Sequence, residues 1–208
     1  MWTITYFYNP SVIESNPWKD RTGYNNFCVG WDTPPAVYPA AFLMTFIVYG
    51  VIKYNVDSLV RAACNPTLDP WRLAVVRGCS LTFAISACFL PLLLVVTPSV
   101  SPNWHTAFFV FYIIGHLFAV VGNFLECAGT GIPRAKWVFL GVYGFISLAF
   151  VFHLFVNFFY YEGPGVSPTL PPALAQFCDY GWFACLAVIE KVLPSQQKPL
   201  KITYELSV

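Results

Sequence analysis

The side chains with most chemistry to offer sit where the sequence is otherwise apolar: His116 and Asn123 in one uncharged run, His153 and Asn157 in the next, and Arg77 and Asp179 in two others. Two histidines on neighbouring helices can hold a haem iron axially, and either imidazole could hydrogen-bond a quinone carbonyl. His116 and Asn123 are seven residues apart and His153 and Asn157 four, so each pair shares one helix face. Counted from the ends nearest their short connection, His116 lies about 11 residues in and His153 about 17, an offset of roughly 9 Å at 1.5 Å per residue. Both axial ligands must reach the iron at one depth, so no haem is expected between them. Interhelical hydrogen bonds, worth about 0.6 kcal/mol each, are the expected use of all four polar residues.

Asp179 lies a turn and a half into a Pro-rich apolar segment, where it could relay protons but is expected to reach the headgroup region. Arg77 is expected to snorkel toward the basic side of the membrane. No glutamine or glutamate accompanies it as a proton pathway would require. The seven cysteines form no CxxC pair, so neither a zinc ribbon nor a redox dithiol is signalled. Cys79 and Cys88 read as small core residues, and a Cys28–Cys178 bridge is conceivable. No nucleophile–base pair, phosphate loop, HExxH or paired carboxylates appear. The expectation is therefore no enzyme, no catalytic or metal site and no cofactor.

The elements that position these residues follow from hydropathy. The chain has 208 residues, 57% of them hydrophobic and 10% charged, and a mean hydropathy of +0.61. Soluble domains run at about 25% charged, so this is an all-α integral membrane protein. A net charge of +1 leaves no basic field for nucleic acid. A hydrocarbon core of about 30 Å needs about 20 apolar helical residues, which places spans at 36–56, 74–97, 106–127, 136–160 and 172–193. TPSVSPNWH, with its two prolines, divides the second span from the third. The short connection between spans three and four makes them antiparallel neighbours.

Five spans put Lys53, Arg61, Arg72, Arg77, Arg134, Lys136, Lys191, Lys198 and Lys201 on one side, and only Lys19 and Arg21 on the other. Basic residues concentrate inside, so the N-terminus is expected outside and the C-terminus inside. Trp71, Trp104 and Trp137 fall at the expected interfaces. Ser80, Ala84 and Cys88, Gly115 and Ala119, and Gly141 and Gly144 each suggest a close helix approach. Residues 1–35 form an extramembrane aromatic arm without the apolar block of a signal peptide, and 194–208 an extramembrane tail.

The stretch CVGWDTPPAVYPAAF (28–42), leading into a span, is similar to the acidic–Pro–Pro entry of the Frag1/DRAM/Sfk1 membrane family. His105, just before the third span, resembles that family's histidine ahead of a span. The resemblance implies six spans and lipid or lysosomal biology; a first span is missing here.

With no reaction centre and 19% aromatic residues, the leading expectation is a non-catalytic accessory subunit of a large membrane complex. A mitochondrial respiratory-chain or ATP synthase complex of the inner membrane is the setting expected. The protein would contribute packing, lipid sealing and bound structural phospholipids, and carry neither electrons nor protons. Its partners would be other subunits and lipids, with Trp2, Tyr6, Phe7, Tyr8 and Trp18 anchoring the arm on a neighbour and ITYELSV adding a strand to one. The alternative is a free-standing lipid-handling or transporter-like protein of the Frag1/DRAM/Sfk1 kind.

Overall fold

A computed structural model describes residues 1–66, 68–128, 131–161 and 169–194. Five helices are long and apolar enough to cross a membrane, over Val37–Ala63, Pro70–Val95, Pro102–Cys127, Arg134–Tyr160 and Pro172–Ile189. No strand occurs among the described residues. The 194–208 tail, including ITYELSV, lies outside them except for Pro194.

The arm is helical. Helices α1 (Trp2–Tyr8), α2 (Pro10–Glu14) and α3 (Pro17–Thr22) precede a 3-10 turn, Phe27–Gly30. Proline opens α2 and α3, where its missing N–H costs nothing, and Asn16 caps α3 by accepting from the Lys19 N–H at 2.9 Å. Gly23, at φ 78°, ends α3 in the left-handed conformation. The spans are α4 (Val37–Ala63), α5 (Pro70–Phe89) with its short continuation α6 (Leu92–Val95), α7 (Pro102–Cys127), α8 (Arg134–Phe155) with a π-helical last turn (Val156–Tyr160), and α9 (Pro172–Val192).

Helix α7 is the centre of the bundle, packing on α5, α8 and α6, while α4 packs on α5 and α9 on α8. Antiparallel pairing of α7 and α8 is seen in Phe124, near the end of one, against Trp137, near the start of the other, at 5.1 Å. The closest seam lies between α5 and α7. A Cβ on Gly115 would run into the Ser86 hydroxyl, and one on Gly122 would stand 3.0 Å from the Cys79 Cβ. Of the small face expected on α5, Ser80 is buried and meets Ser58 of α4 at 3.5 Å, while Cys88 is exposed; toward α7, α5 turns Cys79, Phe83 and Ser86. Gly141 meets nothing and Gly144 barely touches Leu117, so that expected approach is not formed.

Rather than extending away from the membrane, the arm folds back onto the bundle. Asn26 donates to Asp179 Oδ2 at 2.8 Å, and Phe27 stacks on Phe183 at 4.5 Å. Phe183 is eleven residues into α9, so the arm reaches about 16 Å down that helix. Farther along α9, at Ile189, an open cleft remains between it and α4.

Candidate functional site

At the arm-covered end, two residues 73 positions apart in the chain meet. His105, on the first turn of α7, is fully buried, and its Nδ1 faces the carbonyls of Leu93 at 3.1 Å and Val96 at 2.9 Å. Carbonyls at a helix C-terminus lack intrahelical donors, so Nδ1 carries the proton and donates to them. The bare Nε2 then faces Asp32 Oδ2 at 4.0 Å. Asp32 is 5% exposed. Both of its oxygens and the Thr33 hydroxyl are buried without a hydrogen-bond partner. A cavity of about 120 Å³ adjoins them, lined by Asn16, Ser15, Thr97 and Ser99 among others. Burial pushes the Asp32 carboxyl well above the usual carboxylate range, and the nearby Cys28 thiol is pushed up by its own burial and then by Asp32.

This raised carboxyl makes stability fall with pH. In the folded chain Asp32 keeps its proton after the unfolded chain has lost it near pH 3.9. Its contribution is thus full below that value and is lost as pH rises toward the folded value. Asp32→Asn should therefore match the wild type near pH 4 and be more stable by about 1–3 kcal/mol at pH 8. Thermal unfolding of detergent-solubilised protein across that range checks this. Parallel pH profiles for the two proteins would show that Asp32 is not the group responsible.

A second polar centre lies deeper, on the open side. Trp182 donates its indole N–H to the Tyr143 hydroxyl at 3.1 Å, and Tyr143 Oη stands 2.6 Å from His116 Nδ1. An indole only donates; with the hydroxyl accepting from Trp182, its own proton is paired when it donates to Nδ1, which leaves the neutral ring of His116 protonated on Nε2. The other edge of that ring lines a cleft of about 290 Å³ between α4 and α9, floored by α7. Phe46, Tyr54, Phe83 and Tyr112 surround it.

These contacts separate the two histidines. Tyr143, the partner of His116, precedes His153 by ten residues on one helix, a rise of about 15 Å. His153 is fully buried and held locally: the Asn157 amide donates to its carbonyl at 2.8 Å, and Thr169 Oγ1 lies 3.4 Å from its Nδ1. The two rings have different partners and do not face a common site. Asn123 is buried. Asp179 corrects the expectation that it reaches the headgroups: it is fully buried, accepting from Asn26 and, at 3.4 Å, from the Phe27 N–H. Cys28 and Cys178 are both free thiols.

The residues expected to anchor a partner divide. Tyr6, Phe7 and Tyr8 are 63–73% exposed. Trp2 donates to the Phe27 carbonyl at 3.0 Å, and Trp18 is buried within its own chain against Phe158 at 5.0 Å. Sequence reasoning passed over Glu126, which is 2% exposed and pairs with Arg61 at 3.1 Å at the other end of the bundle. The signal was present: an acid in the last turn of an apolar span needs a cation. Among the described residues no cluster of three or more His, Cys, Asp or Glu could hold a metal ion. No family model, curated protein or solved structure matches this chain.

Proposed function

We propose that this chain is a non-catalytic accessory subunit of a larger membrane assembly, contributing helix packing and lipid contacts. The observation that carries the reading is α4, which buries only 11% of its membrane-crossing window against 50% for α7. Its free face is an aromatic stripe: Tyr38, Phe42, Phe46 and Tyr49 are 58–69% exposed and lie one helical turn apart in succession. Aromatic stripes of this kind suit the packed centre of an interface. The arm adds Tyr6, Phe7 and Tyr8 near the same end of the bundle. Most ionisable groups at membrane depth are used inside the chain, Asp179 by Asn26 and Glu126 by Arg61, which favours scaffolding over catalysis.

The assembly we propose is a respiratory-chain or ATP synthase complex of the mitochondrial inner membrane, with structural phospholipids in the remaining grooves. The nine-to-two split of basic residues supports an N-terminus on the intermembrane-space side. The decisive experiment is purification of tagged protein from the fractionated inner membrane in a mild detergent. Wild type should migrate as a large complex. Phe42→Ala with Tyr49→Ala should shift it toward a folded single chain, since interface aromatics commonly cost about 2 kcal/mol or more each when truncated. A wild-type protein that runs alone, or fractionates with another membrane, defeats the reading.

One observation favours a second reading. The two positions singled out by the Frag1/DRAM/Sfk1 resemblance, Asp32 and His105, meet at 4.0 Å beside a polar cavity. A free-standing lipid-handling protein would use that pocket, and would run alone in the same experiment.

A further inference from the structure

We infer that the open cleft between α4 and α9 is a binding site for the headgroup of an isoprenoid quinone, hydrogen-bonded through one carbonyl to His116 Nε2. The cleft has three properties that together select this class. Its walls are aromatic and aliphatic, with Phe46, Tyr54, Phe83 and Tyr112 around Gly50 and Ala119. Phe83 and Tyr112 lie 5.1 Å and 6.2 Å from the His116 ring, so a planar ring finds aromatic faces and edges on which to pack. The lining carries no charged residue, which leaves a phosphate or carboxylate headgroup without a counter-charge.

The third property is the single aimed donor. Trp182 and Tyr143 favour the Nε2–H tautomer of His116 from behind, through contacts of 3.1 Å and 2.6 Å. Nε2–H meets no hydrogen-bond partner among the described residues. A bare acyl chain in the cleft would leave that N–H unpaired in hydrocarbon, whereas a quinone carbonyl accepts it. At about 290 Å³ the cleft is slightly smaller than pockets that enclose a drug-sized ligand whole. It takes a substituted ring and leaves the isoprenoid tail in the surrounding lipid.

The test uses the full chain in phosphatidylcholine nanodiscs titrated with decylubiquinone, with retained quinone measured after washing. Two variants report on different parts of the site. His116→Phe removes the donor. Gly50→Leu extends into the cleft from α4, starting from a position where an added Cβ meets nothing within 4 Å. Wild type should bind saturably at one quinone per chain, and each variant should bind at least about tenfold more weakly, a change of about 1.4 kcal/mol. Wild-type affinity in either variant overturns the assignment, as does quinone uptake without saturation. A phospholipid that Gly50→Leu displaces and decylubiquinone does not would show an acyl chain to be the occupant instead.

Discussion

Replacing Gly115 by valine should prevent the bundle from assembling, and the reason is a single contact between α5 and α7. The two helices come close enough that even a methyl group on Gly115 collides with Ser86: an added Cβ would stand 2.8 Å from the Ser86 Cβ and 3.3 Å from the Phe83 Cα. Ser86 cannot turn away freely, because its hydroxyl already donates to the Phe83 carbonyl at 2.8 Å. Backbone separation would carry through the seam to Gly122, which meets Cys79 one heptad on. Gly115→Ala alone should cost about 1–3 kcal/mol, the usual range for overpacking, and valine more. Adding Ser86→Gly to Gly115→Ala removes the hydroxymethyl that the new methyl strikes and should restore most of the loss. Gly141→Ala is the control: its Cβ meets nothing within 4 Å, and the better helix propensity of alanine should leave stability unchanged or slightly raised. Thermal unfolding of the four detergent-solubilised proteins decides the matter. Equal tolerance of Gly115→Ala and Gly141→Ala would show that the seam can open without loss.

The same seam shows which parts of the structure were legible in the sequence. Hydropathy placed all five spans, because apolar length is a one-dimensional property and each span is long and nearly uncharged. It stopped the first at residue 56, yet α4 runs on to Ala63. Lys53 and Asp57 pair one turn apart within α4, and Arg61 turns to Glu126 on α7, so the charges that ended the apolar window find partners within the fold. Gly115 and Ala119 were recognisable as a small face, while the residues that meet it from α5, Phe83 and Ser86, were not. Rotation about the axis is set by the partner and not by the spacing alone. The polar centres were least legible. Asp32 and His105, Asn26 and Asp179, and Arg61 and Glu126 are all pairs whose members lie far apart in the chain. A local pattern can flag one member of such a pair but not choose its mate.

Trp18 is where that blindness to long-range pairing matters most, and Trp18→Ala should release the arm. The indole is 1% exposed and packs on Phe158 at 5.0 Å, His105 at 6.2 Å and Phe109 at 6.4 Å. It is thus the apolar plug that joins α3 to the ends of α7 and α8. Truncating a buried aromatic to alanine costs about 3–5 kcal/mol. The other ties of the arm are the Phe27–Phe183 stack at 4.5 Å and three polar contacts: Arg21 to the Tyr161 carbonyl at 3.3 Å, Tyr180 to the Asn25 carbonyl at 3.1 Å, and Asn26 to Asp179. The hydrogen bonds contribute only about 1 kcal/mol each and the stack lies beyond α3, so little holds α3 once the plug is gone. The spans pack on one another without Trp18, so the loss should appear as local opening of the arm before any change in the bundle. Lys19 and Arg21 are the only tryptic sites in residues 1–52, and both lie in α3, so trypsin reads this opening directly. Cleavage there should rise at least about a hundredfold in Trp18→Ala, each 1.4 kcal/mol being a factor of ten, while thermal unfolding of the bundle shifts little. An unchanged cleavage rate would mean that the arm is held by its other ties. A fall in bundle stability equal to the whole loss would mean that arm and bundle unfold as one unit.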